Sequence, residues 1–138
     1  MSNLYAFLHP VQVQEEKEII ISERFVDEEG QVVPFRIKAL TQEENDQIIK
    51  KSYRRVQNQR GQWEKELDGT EYNRRLVVAA TVWPDFTAKE LCEAKGTLDP
   101  LEVPGKMLLA GEYAALVEAI SIHSGFGAGN QEMAEAKN

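Results

Sequence analysis

The sequence predicts an α+β fold: an N-terminal β-hairpin followed by a small bundle of about four to five short helices. Three observations carry that expectation. Two β-rich runs, EIIISERF (18–25) and QVVPFRIKAL (31–40), flank Asp27-Glu28-Glu29-Gly30, a turn in which the glycine can take positive φ. Beyond residue 40 the spacing of apolar residues becomes helical, with capping sequences at 41–44 and 87–90. LVVAATVW (76–83) holds one threonine among seven apolar residues, so no helix rotation and no strand pleat offers it a polar face. That stretch is the expected centre of the core.

Taken in order, residues 1–16 form a flexible arm, 17–126 one globular domain and 127–138 a flexible C-terminal tail. The arm carries Leu4, Tyr5, Phe7 and Leu8, which read either as a frayed terminus or as a short docking segment. In the second β-run Val33, Phe35, Ile37 and Ala39 alternate with Pro34, Arg36 and Lys38, giving one buried and one wet face. Pro34 cannot donate to a ladder, which places this strand at an edge or breaks it near its start. Two strands alone are marginal, so they must lie on the helices or find a further strand in a partner.

Thr41-Gln42-Glu43-Glu44 is a capping box, and the helix it opens carries Ile48, Ile49, Tyr53 and Val56 as its apolar stripe. Residues 57–68, with Arg60-Gly61-Gln62-Trp63, lack sustained periodicity and read as a loop or short hairpin. Thr70 is the expected cap of a buried central helix whose Tyr72, Leu76, Ala79, Ala80 and Trp83 share a face, and Trp83-Pro84 stops it. Thr87-Ala88-Lys89-Glu90 repeats the capping box before Leu91 and Cys92, and Gly96 ends that turn. Asp99-Pro100 starts a further helix, interrupted by Val103-Pro104-Gly105. From Glu112 to Ser124, Tyr113, Leu116, Val117 and Ile120 mark the last helix, closed by Gly125.

At 138 residues the chain is one domain by length. A single cysteine, Cys92, excludes an internal disulfide framework and fits a reducing compartment. No apolar run approaches the roughly 20 residues needed to span a bilayer, and the first residues lack a leader pattern, so the protein is expected to be soluble and unprocessed. Net charge is −7, unevenly spread: residues 50–75 carry 8 bases and 4 acids, whereas 1–49 carry 4 and 10, and 76–138 carry 4 and 9. The acidic total opposes a dedicated nucleic-acid binder.

Catalytic chemistry is scarce. His9 and His123 stand alone, Cys92 lies on a small apolar face, and Gly125, Gly127 and Gly129 follow a helix rather than precede one, the reverse of a phosphate loop. No catalytic pair, cofactor site or metal site is indicated. The basic island is the electrostatic feature that remains: Lys50, Lys51, Arg54, Arg55 and Arg60 with Trp63, joined by Tyr53 and Lys65. Its readings, in descending order, are a solvated helix face, a site for an acidic protein partner, and a nucleic-acid patch.

In order along the chain stand ISERFVDEEG, FRIKALTQEEN, RGQWEKELDGTEYNRRLVVAATVWPDF and, most specifically, KMLLAGEYAALVEAISIHSGF, with EMAEAKN at the end. In this order and spacing they resemble the XkdN-like tail assembly chaperones of tailed phages and defective prophages of Gram-positive bacteria. The resemblance implies a non-catalytic protein of the host cytoplasm, absent from the mature virion, that binds the tape measure protein and presents it to the major tail tube protein. In some members a ribosomal frameshift makes a longer product, which would add a longer form of this chain to the partners. The runner-up reading is a structural tail completion protein or minor virion component. A small enzyme is disfavoured by the missing site chemistry.

Overall fold

In the computed structural model the described residues are 3–12 and 15–127. The C-terminal tail expected at 127–138 lies outside them, apart from Gly127. Within the expected arm, Leu4–Leu8 forms a short helix, α1, with exposed side chains.

Strand β1 (Glu16–Ile19) pairs antiparallel with β2 (Phe35–Lys38), Lys17 standing opposite Ile37. The first strand therefore starts and ends earlier than the run 18–25 suggested. Between the strands the chain makes only one further bridge, Val26 with Val32, around a turn in which Asp27 accepts the amides of Glu29 and Gln31 and Gly30 has φ +81°. The alternation in the second run holds: Phe35 and Ile37 are buried, Arg36 and Lys38 half-buried. Pro34 immediately precedes the strand, as its missing donor requires. An edge position for β2 is not what forms, because β2 is the middle strand of three, in the order β1-β2-β5.

The third strand comes from the stretch expected to be wholly helical. Helix α3 (Gly69–Ala80) stops at Ala80, and Thr81–Trp83 becomes β5, antiparallel to β2 with an irregularity between Arg36 and Ile37. Thr, Val and Trp are residues that favour a pleated surface, and as a strand they satisfy the open edge of β2, which three more helical residues would leave unpaired. The expected common face also divides. Leu76, Val77 and Ala80 are buried, whereas Ala79 is exposed and Trp83, on β5, is half-exposed.

Helix α2 (Gln42–Lys50) has the full capping box: Thr41 Oγ1 accepts the Glu44 amide at 3.1 Å, and the Glu44 carboxylate accepts the Thr41 amide at 3.1 Å. Asp68, not Thr70, caps α3, taking the amides of Thr70 and Glu71. The second expected capping box does not form. Thr87 donates its hydroxyl to Asp85 at 2.6 Å, and helix α4 (Lys89–Ala94) begins after Ala88 without a side-chain cap. The shorter Asp85 turn captures Thr87 locally, as Asx turns do. Asp99 and Pro100 start a 3-10 turn (Pro100–Glu102), which runs directly into α5 (Val103–Met107). Val103-Pro104-Gly105 thus opens a helix instead of interrupting one, since Pro104 sits in its first turn, where no amide partner is required. The last helix is α6 (Ala110–His123), with Leu116 and Ile120 buried and Tyr113 and Val117 half-buried.

Helix α3 touches α2, β5, the 3-10 turn, α5 and α6. One core results, assembled from Phe35 and Ile37 of the sheet, Leu76, Val77 and Ala80 of α3, Leu116 and Ile120 of α6, and Phe86, Cys92 and Val103 between them. Away from the core, Arg24 grips Glu112 with its Nε at 3.0 Å and Nη2 at 2.5 Å, tying the segment after β1 to the first turn of α6. Glu112 also accepts the Leu109 amide. The Arg24 guanidinium, with Ser22 and that amide, holds the Glu112 carboxyl down at about 2.

Two outcomes follow. Leu76→Ala should lower unfolding free energy by about 2 to 5 kcal/mol, while Leu98→Ala, at a side chain 97% exposed, should leave the urea midpoint within error. A carboxylate whose pKa is depressed on folding stabilises the fold above its unfolded pKa and loses that contribution as pH falls through the folded one. Wild type should therefore exceed Glu112→Gln in stability at pH 7, with the gap closing between the ordinary glutamate range and about 2. A gap that is constant with pH in acid titrations would show that the pair does not ionise in this way.

Candidate functional site

The basic island lies on a hairpin, not on a helix. Helix α2 ends at Lys50, with Lys51 as its C-cap, and Arg54 and Arg55 fall on β3 (Tyr53–Gln57). Ser52 makes the change. Its buried hydroxyl donates to the Ile48 carbonyl at 2.6 Å, and its own carbonyl accepts the Asp68 amide at 2.7 Å, fixing both feet of the hairpin to the end of α2. Tyr53 and Val56, expected in a helical stripe, are strand residues instead. The Gln57 to Asp68 stretch resolves in favour of the hairpin: β4 (Trp63–Leu67) pairs antiparallel with β3 as a separate two-stranded sheet. At the tip Asn58 accepts the amides of Arg60 and Gln62, and Gly61 takes φ +77°, which an L side chain rarely adopts.

The register sorts the island into two faces, because cross-strand partners point the same way and successive residues alternate. One face holds the pairs Tyr53 with Leu67, Arg55 with Lys65, and Gln57 with Trp63; the other holds Arg54 with Glu66 and Val56 with Glu64. The second face carries one cation and two carboxylates, each with a local partner. Arg54 and Glu66 approach to 3.8 Å, and Asn58 donates to Glu64 at 2.9 Å. The first face has cations and no carboxylate, with the Arg55 guanidinium lying 5.1 Å from the Trp63 ring centroid. Its large side chains are about half exposed: Tyr53 49%, Trp63 59% and Leu67 44%.

The six residues named from sequence are therefore strung out from foot to tip. Lys50 and Lys51 lie at the end of α2, Arg60 at the turn, Arg54 on the face with Glu64 and Glu66, and only Arg55 and Trp63 share the open face. Leu67 was missed. Its signal was the period-two pattern Trp63, Lys65, Leu67 mirrored across an Asn-x-x-Gly turn by Tyr53, Arg55, Gln57.

Among the described residues no three His, Cys, Asp or Glu side chains come together as a metal site, and no helix is long and apolar enough to cross a membrane. Cys92 is buried, its thiol directed to the Phe86 carbonyl at 3.5 Å, the small core residue its apolar neighbours suggested. An open groove runs between α3, α5 and α6, past Arg74, Leu108 and Tyr113.

A family model described as the phage XkdN-like tail assembly chaperone protein matches residues 4–137. The chain belongs to the XkdN-like tail assembly chaperone family. Among its relatives in Bacillus subtilis (strain 168), it is 47% identical over 126 residues to the uncharacterized protein YqbN, covering 88% of this chain and 83% of the relative. It is 40% identical over 112 residues to the phage-like element PBSX protein XkdN, covering 79% and 75%. The crystal structure of YqbN superposes with a TM-score of 0.70 and 38% identity, covering 88% of this chain and 96% of that one. The family resemblance read from the motifs thus holds along nearly the whole sequence, and the α+β fold is shared with a solved relative.

The hairpin's mounting depends on Asp68, which caps α3 while its amide closes the foot of the hairpin. Asp68→Ala should cost about 0.5 to 2 kcal/mol in chemical denaturation, the usual range for losing an N-cap. A change smaller than measurement error would remove Asp68 from that role.

Proposed function

We propose that this protein is a non-enzymatic tail assembly chaperone that covers the tape measure protein and helps recruit major tail tube subunits to it. It acts in the cytoplasm of the bacterial host and is left out of the finished virion. The observation that carries the reading is the match of an XkdN-like tail assembly chaperone model to residues 4–137. Physical support comes from two features. The chain has a net charge of −7, which adds repulsion between coated clients and keeps them dispersed. It also presents uncovered apolar side chains on the β3–β4 hairpin, of the kind that mark sites for another polypeptide.

Many copies are needed per client, since a helix rises about 1.5 Å per residue and a long client outruns one small domain. Co-expression should raise the soluble fraction of the cognate tape measure protein, and purified complexes should contain several chaperone copies per client. Tail tube protein should displace them, and quantitative mass spectrometry of washed virions should find little of this chain. Stoichiometric recovery from virions, with no change in tape measure solubility, would favour a structural tail component.

A further inference from the structure

The β3–β4 hairpin spends its largest side chains on a face that nothing in the described structure covers. Tyr53, Trp63 and Leu67 are all between 44% and 59% exposed, whereas Val56, on the opposite face, is half-buried. A two-stranded hairpin is marginal in water, and one with its aromatic side bare gains stability from whatever covers that side. We propose that this face, with Arg55 and Lys65 between Tyr53/Leu67 and Trp63, is the docking site for an acidic amphipathic helix of a partner protein.

Charge selects the partner. Arg55 and Lys65 stand directly opposite each other with no carboxylate on their face, while the acids of the hairpin lie on the other side with Arg54 and Asn58. Two hairpins stacked through this face would set Arg55 and Lys65 of one copy against those of the next, which disfavours a second copy as the occupant. A phosphate backbone is opposed by the remainder of the chain, which outside residues 50–75 carries 8 bases and 19 acids.

Dimensions select the pattern. Residues 53 and 57 of a strand are separated by about 14 Å, at 3.4 Å per residue. Two apolar side chains two helical turns apart are separated by about 11 Å along the axis, within reach of that span, and place positions i+3 and i+4 over the cations between them. The helix that fits reads apolar-x-x-acid-acid-x-x-apolar. The proposal rests on the reading of the protein as a holder of another chain, but its test needs no tape measure protein, so the two fail separately.

The probe is a fluorescein-labelled synthetic peptide of about three heptads, with Leu every seventh position and paired Glu midway, and a twin with Lys for Glu. The full chain carrying Trp83→Phe keeps Trp63 as its sole tryptophan. The acidic peptide should raise anisotropy and shift Trp63 emission to the blue, and the lysine twin should not. Arg55→Gln with Lys65→Gln should weaken binding about tenfold, against less than about twofold for Lys50→Gln with Arg54→Gln, which removes the same charge off this face. Trp63→Ala, an exposed position, should weaken it comparably and keeps the test decisive if the first double variant does not fold. Equal loss from both doubles, equal binding of both peptides, no binding of either, or tighter binding of a single-stranded oligonucleotide would each overturn the proposal.

Discussion

Burial of α3 is the constraint on which the rest of the structure depends. Leu76, Val77 and Ala80 are inaccessible to solvent or nearly so, and α3 is packed against elements on both sides of it in the chain: α2 before, β5 directly after, and α5 and α6 from the C-terminal half. Covering a helix this apolar removes a large area from water, and the favourable free energy of that burial fixes where the neighbouring elements end. The three-stranded sheet is one consequence. Its middle strand offers Phe35 and Ile37 to the same core, and β5 completes it because the chain leaving α3 is already beside β2.

The β3–β4 hairpin stands outside this arrangement. It contributes no residue to the core and forms a sheet of its own, mounted through the Ser52 and Asp68 backbone contact. An element so attached adds little to the stability of the body. The same division is seen in the charges. Residues 50–75 carry 8 bases and 4 acids, while the rest of the chain carries 8 bases and 19 acids, so the hairpin region and the body differ in the sign of their charge. Because the hairpin adds no residue to the core, a contact made on its open face could form and break without disturbing the packing of α3.

Local chemistry was legible where it closes within a few residues. The Thr41 to Glu44 capping box, the alternation around Phe35 and Ile37, the Gly30 turn, the Asp99-Pro100 start and the last helix all follow from hydrogen bonds or periodicities that a short stretch contains. The family, too, was legible, through the order and spacing of motifs along the chain. Even the failures had local competitors. Thr87 was captured by Asp85, and Asp68 reached the α3 amides that Thr70 was expected to serve.

By itself the sequence determined an α+β domain with the centre of its core within residues 76–83, and a basic stretch in an acidic chain. Tertiary structure decided what no single segment contains. Thr81 to Trp83 could extend a helix or pair as a strand, and the unsatisfied edge of β2 settled it. Tyr53 to Val56 fits a helical stripe as well as a strand, and the pairing of Tyr53 to Gln57 with Trp63 to Leu67 settled that as well. Strand register then separated Arg55 from Arg54 by turning adjacent residues to opposite faces. Net charge and spacing cannot supply that distinction, because it exists only once the two strands are hydrogen-bonded in one alignment.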